Sequence, residues 1–140
     1  MDKMSKEDRK QYRISVKEEF PDTLRFGNRK FKKKLPMRYG ENPGYPAAFY
    51  SEKKASGPNM ATMEVLQAGT KGLSYINIGD MDLGQRLVKK LTDIYKNNLI
   101  CVLVKHEMPS GIARGESPEG TFEKAWNCDS LSNFRPIASS

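Results

Sequence analysis

A stripe of apolar residues at helical spacing is followed by a continuous apolar run, and together they predict a helix and a strand. The stripe recurs every three or four residues and consists of Leu83, Leu87, Val88, Leu91, Ile94 and Tyr95. Asp80 or Asp82 is expected near the start of this helix, where a carboxylate meets the helix dipole favourably. Residues 99–104 are all apolar and rich in β-branched side chains, which is typical of a fully buried strand.

The residues after this strand predict a loop and a second helix. One proline and two glycines favour a loop over residues 109–115. Ser117 is placed as an N-cap, Pro118 fits the first helical position, and the helix is expected to run to about Cys128. Because helix, buried strand, loop and helix follow one another, the sequence indicates an α/β layered domain.

The first part of the chain has weaker patterning. Residues 1–20 have the composition of a short polar helix that Pro21 interrupts, and residues 21–36 have that of an irregular basic connector. The other predicted features are a short strand at residues 47–50, an apolar-leaning element at residues 63–67 and a turn at residues 69–72. We therefore expect a basic, irregular leader at residues 1–34 and a domain at residues 35–140.

The positive charge of the chain is concentrated in that leader. The formal net charge is +7, and residues 1–36 hold twelve Lys or Arg against six Asp or Glu. A basic leader attracts nucleic acid or another polyanion, although a solvated extension has the same composition and is the plainer interpretation. Phe26 and Phe31 stand among the cations but do not complete a nucleic-acid-binding module. Nucleic acid is therefore not the favoured partner.

Several classes of protein are excluded by what the sequence lacks. No apolar run approaches the roughly eighteen residues that span a bilayer, and the charged amino terminus is not typical of a secretory signal. Cys101, Cys128 and one histidine lack the spacing of a zinc site. The glycine motifs that bind dinucleotides or nucleoside triphosphates are also missing. The simplest expectation is a cytoplasmic protein without a metal or a membrane partner.

Lys105 and His106 follow the buried strand directly and form a chemically useful pair. In open α/β sheets ligands bind at the edge where loops leave the strand ends. A neutral imidazole accepts a proton near neutral pH, and an adjacent ammonium stabilises an oxyanion that develops on a carbonyl. A lone Lys-His pair is also a common, inert end of a strand, so spacing alone leaves both interpretations open.

A second candidate segment is the Pro/Gly-rich loop at residues 37–43. Arg38 offers a guanidinium that binds phosphate in a fork geometry, and Tyr39 offers a ring that flanks a flat heterocycle. Without further information, the same segment is a turn with polar residues.

Four segments of the chain, taken in order, resemble the AICAR transformylase domain family of purine biosynthesis. They are RYGENP at 38–43 with AAFY at 47–50, GLSYIN at 72–77 with Asp80 and Asp82, VKH at 104–106 with PSGIA at 109–113, and EKA at 123–125 with CDSLSNF at 128–134. Together they cover about residues 35–138. We expect this part of the chain to correspond to the amino-terminal part of that domain.

The resemblance implies an enzyme that transfers a formyl group from the co-substrate 10-formyltetrahydrofolate to the 5-amino group of AICAR during IMP synthesis. It implies a cytidine-deaminase-like α/β fold without zinc, and an active site at a homodimer interface. Lys105 and His106 match the catalytic pair, and Arg38 and Tyr39 match the nucleotide-binding pair, with His106 also contacting the substrate. The expected supporting residues are Asn42, Asn77, Ser110 and Gly111.

The chain departs from the family pattern in its length and in some motif residues. The family's domain is much longer, and its remainder supplies further nucleotide contacts and most of the folate site. Met108 stands where the family has Asn, and Arg135-Pro136 replaces a Gly-Gly turn. We therefore expect either a transformylase segment that needs a missing half or partner chain, or an inactive relic that retains nucleotide binding or a protein-interaction role.

Overall fold

The computed structural model describes residues 20–66, 72–133 and 137–139, and it divides into two compact units. Unit 1 extends to Tyr75, and unit 2 begins at Ile76. The short helix predicted within residues 1–20 and most of the turn predicted at residues 69–72 lie outside the described residues. Neither helix in the described ranges combines the length and the hydropathy of a membrane span.

Unit 1 is built on an antiparallel sheet of three strands in the order β1-β2-β3. The strands are β1 (Thr23–Phe26), β2 (Arg29–Pro36) and β3 (Ala48–Glu52). Gly27, at a φ of 57°, opens the two-residue turn between β1 and β2, a conformation that glycine adopts without steric cost. The strand predicted at residues 47–50 is thus confirmed within two residues.

The prediction of an irregular connector at residues 21–36 is wrong, because most of these residues form the paired strands β1 and β2. Lysines occupy both faces of β2, so the alternation of apolar and polar residues that identifies a strand is hidden. The boundary predicted between residues 34 and 35 falls inside β2.

Unit 2 has one central strand between two antiparallel neighbours, in the order β5-β4-β6. Its elements are α1 (Tyr75–Ile94, whose first residue falls in unit 1), β4 (Leu99–Lys105), β5 (Met108–Gly115), α2 (Pro118–Asn127) and β6 (Ile137–Ser139). Val102, Leu103 and Val104 of β4 are fully buried. The predicted helix, buried strand and second helix are all confirmed, and the unit is a mixed α/β domain.

Each face of β4 packs against a different helix. Ile100, Val102 and Val104 form one cluster, and the α1 residues packed against it are Leu83, Leu87, Val88 and Leu91. Cys101 and Leu103 point to the other face, where they pack with Ala125 of α2. The alternation of side chains along a strand therefore gives β4 two hydrophobic layers, which explains why its sequence is continuously apolar.

Two predictions about α1, one at its start and one at its end, are wrong. Asp80 lies in the second turn of α1, since the helix begins at Tyr75, and it therefore does not meet the dipole at the first turn. Ile94 and Tyr95 are 68% and 38% exposed, so neither extends the core. The guanidinium of Arg114 lies 4.7 Å from the centre of the Tyr95 ring.

The prediction of a loop at residues 109–115 is wrong, because these residues form β5. The glycines in this segment serve close packing against α2. A Cβ added at Gly111 would lie 2.0 Å from the carbonyl oxygen of Ala125, and one at Gly115 would lie 2.3 Å from Oγ1 of Thr121. Glycine inside a strand often marks such a close approach.

Candidate functional site

Lys105 and His106 lie at the junction of β4 and β5, where the chain reverses within two residues. Lys105 pairs with Met108, so His106 and Glu107 alone form the turn. Their φ angles are 54° and 58°. Positive φ at both central positions defines a type I′ hairpin turn, which usually contains Asn-Gly. The expected position at the loop edge of an open sheet is therefore corrected: the pair lies at a tight antiparallel turn.

Asp80 of α1 holds this turn in place. Its Oδ1 accepts a hydrogen bond from the backbone N–H of Glu107 at 2.6 Å, and the residue is only 4% exposed. The Glu107 carboxylate lies over Gly79, where an added Cβ would be 2.5 Å from Oε1. A charge-assisted hydrogen bond and a close side-chain contact thus connect α1 to the turn.

The contact of Asp80 with the turn was not predicted from the sequence. The signal was nevertheless present, because Asp80 stands three residues before Leu83 and seven before Leu87. Such spacing places the carboxylate on the apolar face of α1, and a buried carboxylate requires a hydrogen-bonding partner.

The side chain of Lys105 is fixed by a backbone carbonyl. Its Nζ donates a 2.7 Å hydrogen bond to the carbonyl oxygen of Ser132. Hydrogen bonds from Ser132 lower the pKa of Asp129, and the positive charge of Lys105 lowers it further. The ammonium therefore faces residues 129–132, and the neighbouring His106 is exposed.

Ser110 and Gly111 have contacts within unit 2. Oγ of Ser110 donates to the carbonyl oxygen of Leu103 at 3.4 Å, and Gly111 makes room for α2. Their roles towards a ligand stay predictions.

Asn133 is a fully buried polar residue that was not singled out from the sequence. Its Nδ2 donates a hydrogen bond to the carbonyl oxygen of Trp126 at 2.8 Å.

Arg38 and Tyr39 of unit 1 are held by main-chain hydrogen bonds. The N–H of Arg38 donates to the carbonyl oxygen of Leu73 at 2.7 Å, and the N–H of Tyr75 donates to that of Tyr39 at 3.0 Å. Tyr39 is 8% exposed, and the guanidinium carbon of Arg38 lies 4.8 Å from the centre of its ring. The two side chains are therefore stacked on each other.

The loop after Tyr39 is closed by its own backbone. The N–H of Gly40 donates to the carbonyl oxygen of Tyr45 at 2.7 Å, and the N–H of Tyr45 donates to that of Asn42 at 3.2 Å. Asn42 is exposed at this turn, while Asn77 is half-buried in the first turn of α1. Their supporting roles, like the nucleotide contacts of Arg38 and Tyr39, stay predictions.

The predicted site residues are divided between the two units. Arg38, Tyr39 and Asn42 belong to unit 1, while Lys105 and His106 belong to unit 2, as do Asn77, Ser110 and Gly111. Over residues 20–66, 72–133 and 137–139, no three His, Cys, Asp or Glu side chains are grouped to hold a metal ion.

The family model and the curated relatives that match this chain all belong to purine biosynthesis. The family model described as the AICARFT/IMPCHase bienzyme matches residues 2–139. The bifunctional purine biosynthesis protein PurH of Clostridium acetobutylicum is 37% identical over 125 residues, which is 89% of this chain and 23% of that protein. PurH of Fusobacterium nucleatum subsp. nucleatum is 38% identical over 120 residues, which is 86% of this chain and 22% of that protein.

Proposed function

Because this chain belongs to the AICARFT/IMPCHase bienzyme family, we propose that it contributes the Lys-His part of a site for formyl transfer from 10-formyltetrahydrofolate to AICAR. The observation that carries the proposal is His106 beside Lys105 on a turn that Asp80 holds. The chain spans less than a quarter of the length of the PurH relatives. The proposal includes a further segment or partner chain that completes the site.

In the proposed reaction, the 5-amino nitrogen of AICAR attacks the formyl carbon of the folate. A carbon–nitrogen bond forms, the carbonyl oxygen becomes an oxyanion, and His106 accepts a proton from the attacking amine. The oxyanion then re-forms the carbonyl as the bond from the formyl carbon to N10 breaks, and N10 takes the proton back from His106 and leaves as tetrahydrofolate. The Lys105 ammonium stabilises the oxyanion, and its hydrogen bond to Ser132 limits the positions that the ammonium can take.

Arg38 and Tyr39 are proposed to bind the AICAR nucleotide, and His106 contacts it during transfer. The stacking of Arg38 on Tyr39 supports this role, since it restricts the guanidinium before any ligand arrives. We assign supporting contacts to four further residues, namely Asn42, Asn77, Ser110 and Gly111.

The wider architecture is also part of the proposal. Residues 35–140 would form part of a cytidine-deaminase-like domain without zinc, an assignment supported by the helix packed on each face of β4. A homodimer or a complementing transformylase half would complete the site in the cytoplasm. The alternative is a relic that binds AICAR, or another protein, without catalysing formyl transfer.

Calorimetric titration with AICAR tests the nucleotide part of the proposal. We expect saturable binding by the full chain, a loss of at least about tenfold in affinity for Arg38→Ala, and unchanged affinity for Arg86→Ala. Arg86 is a matched control because it is an exposed arginine paired with Asp82 on α1. Failure of the unmodified chain to bind AICAR would overturn the site assignment.

A complementation assay tests the catalytic part. The chain is mixed with a PurH polypeptide that lacks the matching segment, and release of tetrahydrofolate is followed by absorbance. We expect turnover with the unmodified chain and a loss of at least about a hundredfold with His106→Ala. Saturable AICAR binding without turnover in the mixture would favour the relic.

A further inference from the structure

We propose that unit 1 carries a second binding site, on one face of its sheet, for small ligands with several adjacent phosphate groups. The site is a groove with a volume of about 760 Å³. Its lining includes four lysines and two neutral polar residues, namely Lys30, Lys32, Lys53, Lys54, Thr23 and Asn28. The inference is independent of formyl transfer, since it uses none of the residues assigned to that reaction.

The strand register places two of these lysines, Lys30 and Lys32, on one face. Lys32 pairs with Thr23 across to β1 and with Ser51 across to β3, while Lys30 pairs with Arg25. Cross-strand partners, and residues two apart on one strand, share a face. We call the surface formed by Thr23, Arg25, Lys30, Lys32 and Ser51 the lysine face. All of its cations are exposed.

The cations on the two faces of this sheet differ in whether they form ion pairs. On the opposite face, Nη2 of Arg29 lies 3.0 Å from Oε2 of Glu52, and Nζ of Lys33 lies 3.0 Å from Oδ1 of Asp22. On the lysine face, no ion pair within the described ranges neutralises Lys30 or Lys32. The charges of that face therefore remain available to an anion.

Glu52 at the end of β3 also lines the groove, although its pairing with Phe31 assigns it to the opposite face, and it does not cancel this charge. Both carboxylate oxygens of Glu52 are hydrogen-bonded to Arg29, at 3.1 Å from Nε and 3.0 Å from Nη2. A bidentate pair of this kind satisfies the carboxylate. Arg29 therefore compensates the negative charge of Glu52, and the positive charges of Lys30, Lys32 and Lys53 are not needed for this.

The hairpin also places like charges opposite each other. Arg25 stands directly across from Lys30, and such a pair destabilises an antiparallel ladder. An anion with several charges lying between these side chains would relieve the repulsion. Binding should therefore stabilise the folded chain, and added salt should weaken both effects.

The position of the aromatic residues favours a compact polyphosphate over a nucleic acid. Phe31 pairs with Leu24 and Phe26 pairs with Arg29, so both rings belong to the face opposite the lysine face. The rings contact each other with centroids 5.9 Å apart. Proteins that bind single strands combine a basic groove with aromatic rings on which bases stack, and none of the described residues that line the groove is aromatic. The volume of the groove suits a small molecule.

Titration of the full chain with sodium tripolyphosphate at low ionic strength tests this proposal. We expect saturable binding with one ligand per chain, and an affinity lower by at least about tenfold in a Lys30→Gln, Lys32→Gln double variant. A Lys89→Gln, Lys90→Gln variant removes the same charge from exposed positions of α1 and should bind as the unmodified chain does. Circular dichroism establishes that each variant is folded.

Three further outcomes decide the interpretation. Tripolyphosphate binding that survives Arg38→Ala supports a site separate from the proposed AICAR site. Equal losses in the two double variants would overturn the proposal, because the effect would then reflect net charge alone. Tighter binding of a deoxythymidine decamer, reduced by Phe26→Ala, would overturn it in favour of single-stranded nucleic acid.

Discussion

Replacing Asp80 is the most direct test of how the His106–Glu107 turn is maintained. Asp80→Ala removes the acceptor of a 2.6 Å hydrogen bond at a position that is 4% exposed. Hydrogen bonds to charged groups contribute about 1.5–3 kcal/mol. The left-handed conformation at two non-glycine residues is unfavourable and must be supported by the surrounding structure. We therefore expect the free energy of unfolding of unit 2 to fall by about 2–3 kcal/mol.

Two comparison variants isolate the hydrogen bond. Asp80→Asn keeps an oxygen acceptor of the same shape but loses the charge, so we expect a loss of only about 1 kcal/mol. Asp82→Ala removes a partly exposed carboxylate that pairs with Arg86 on the same helix, and an i,i+4 pair of this kind contributes about 0.3–0.5 kcal/mol. The expected order of destabilisation is thus Asp80→Ala, Asp80→Asn, Asp82→Ala.

Urea denaturation followed by tryptophan fluorescence measures these differences in unit 2, because Trp126 is the single tryptophan of the chain and belongs to α2. Amide hydrogen exchange at Glu107 gives a local measurement, and exchange should be fastest in Asp80→Ala. Equal losses for Asp80→Ala and Asp82→Ala, with unchanged exchange at Glu107, would refute the reasoning.

Three further predictions concern packing and titration. Gly111→Ala should lower the free energy of unfolding by about 3 kcal/mol or more in urea denaturation, because its Cβ would lie 2.0 Å from a backbone oxygen of α2; near-neutral stability would contradict this packing. Exposed Cys128 should react with a thiol reagent before buried Cys101. Burial raises the pKa of Cys101, so its reactive thiolate forms only at higher pH. Equal reaction rates of the two thiols would contradict the burial of Cys101. The lowered pKa of Asp129 stabilises the fold above the ordinary carboxyl range, and this contribution is lost as pH falls through the folded-state pKa. Asp129→Asn should therefore reduce the difference in urea midpoint between neutral and acidic pH, and an unchanged difference would argue against the interaction.

The helices and the central strand were predictable because their signals are local. The stripe beginning at Leu83 identifies α1, the apolar run of residues 99–104 identifies β4, and the Ser117-Pro118 pair identifies the start of α2. Ser117 caps α2 as expected, since its hydroxyl accepts from the N–H of Gly120 at 3.3 Å.

The elements that were missed depend on partners distant in sequence. In β5, the glycines are typical of a loop when only the local sequence is considered. They are explained by the close approach of Ala125 of α2 to Gly111, which precedes it by fourteen residues. In β2, the pairing with β1 and β3 reveals a strand that its lysines conceal. The Lys105-His106 pair stays a prediction as a site, whereas the two-residue turn that carries it and the contact of that turn with Asp80 follow from tertiary structure.

The two-residue turn between β4 and β5 also determines where the chain tolerates being cut or lengthened. Side chains alternate between the faces of a strand, so one inserted residue that shifts the pairing of β5 would exchange its buried and exposed positions. New termini at His106 would remove the covalent link that sets this register. For circular permutation or the insertion of a reporter domain, the exposed Gly57-Pro58 segment of unit 1 is the better position. An opening there leaves both strands of the β4–β5 hairpin intact.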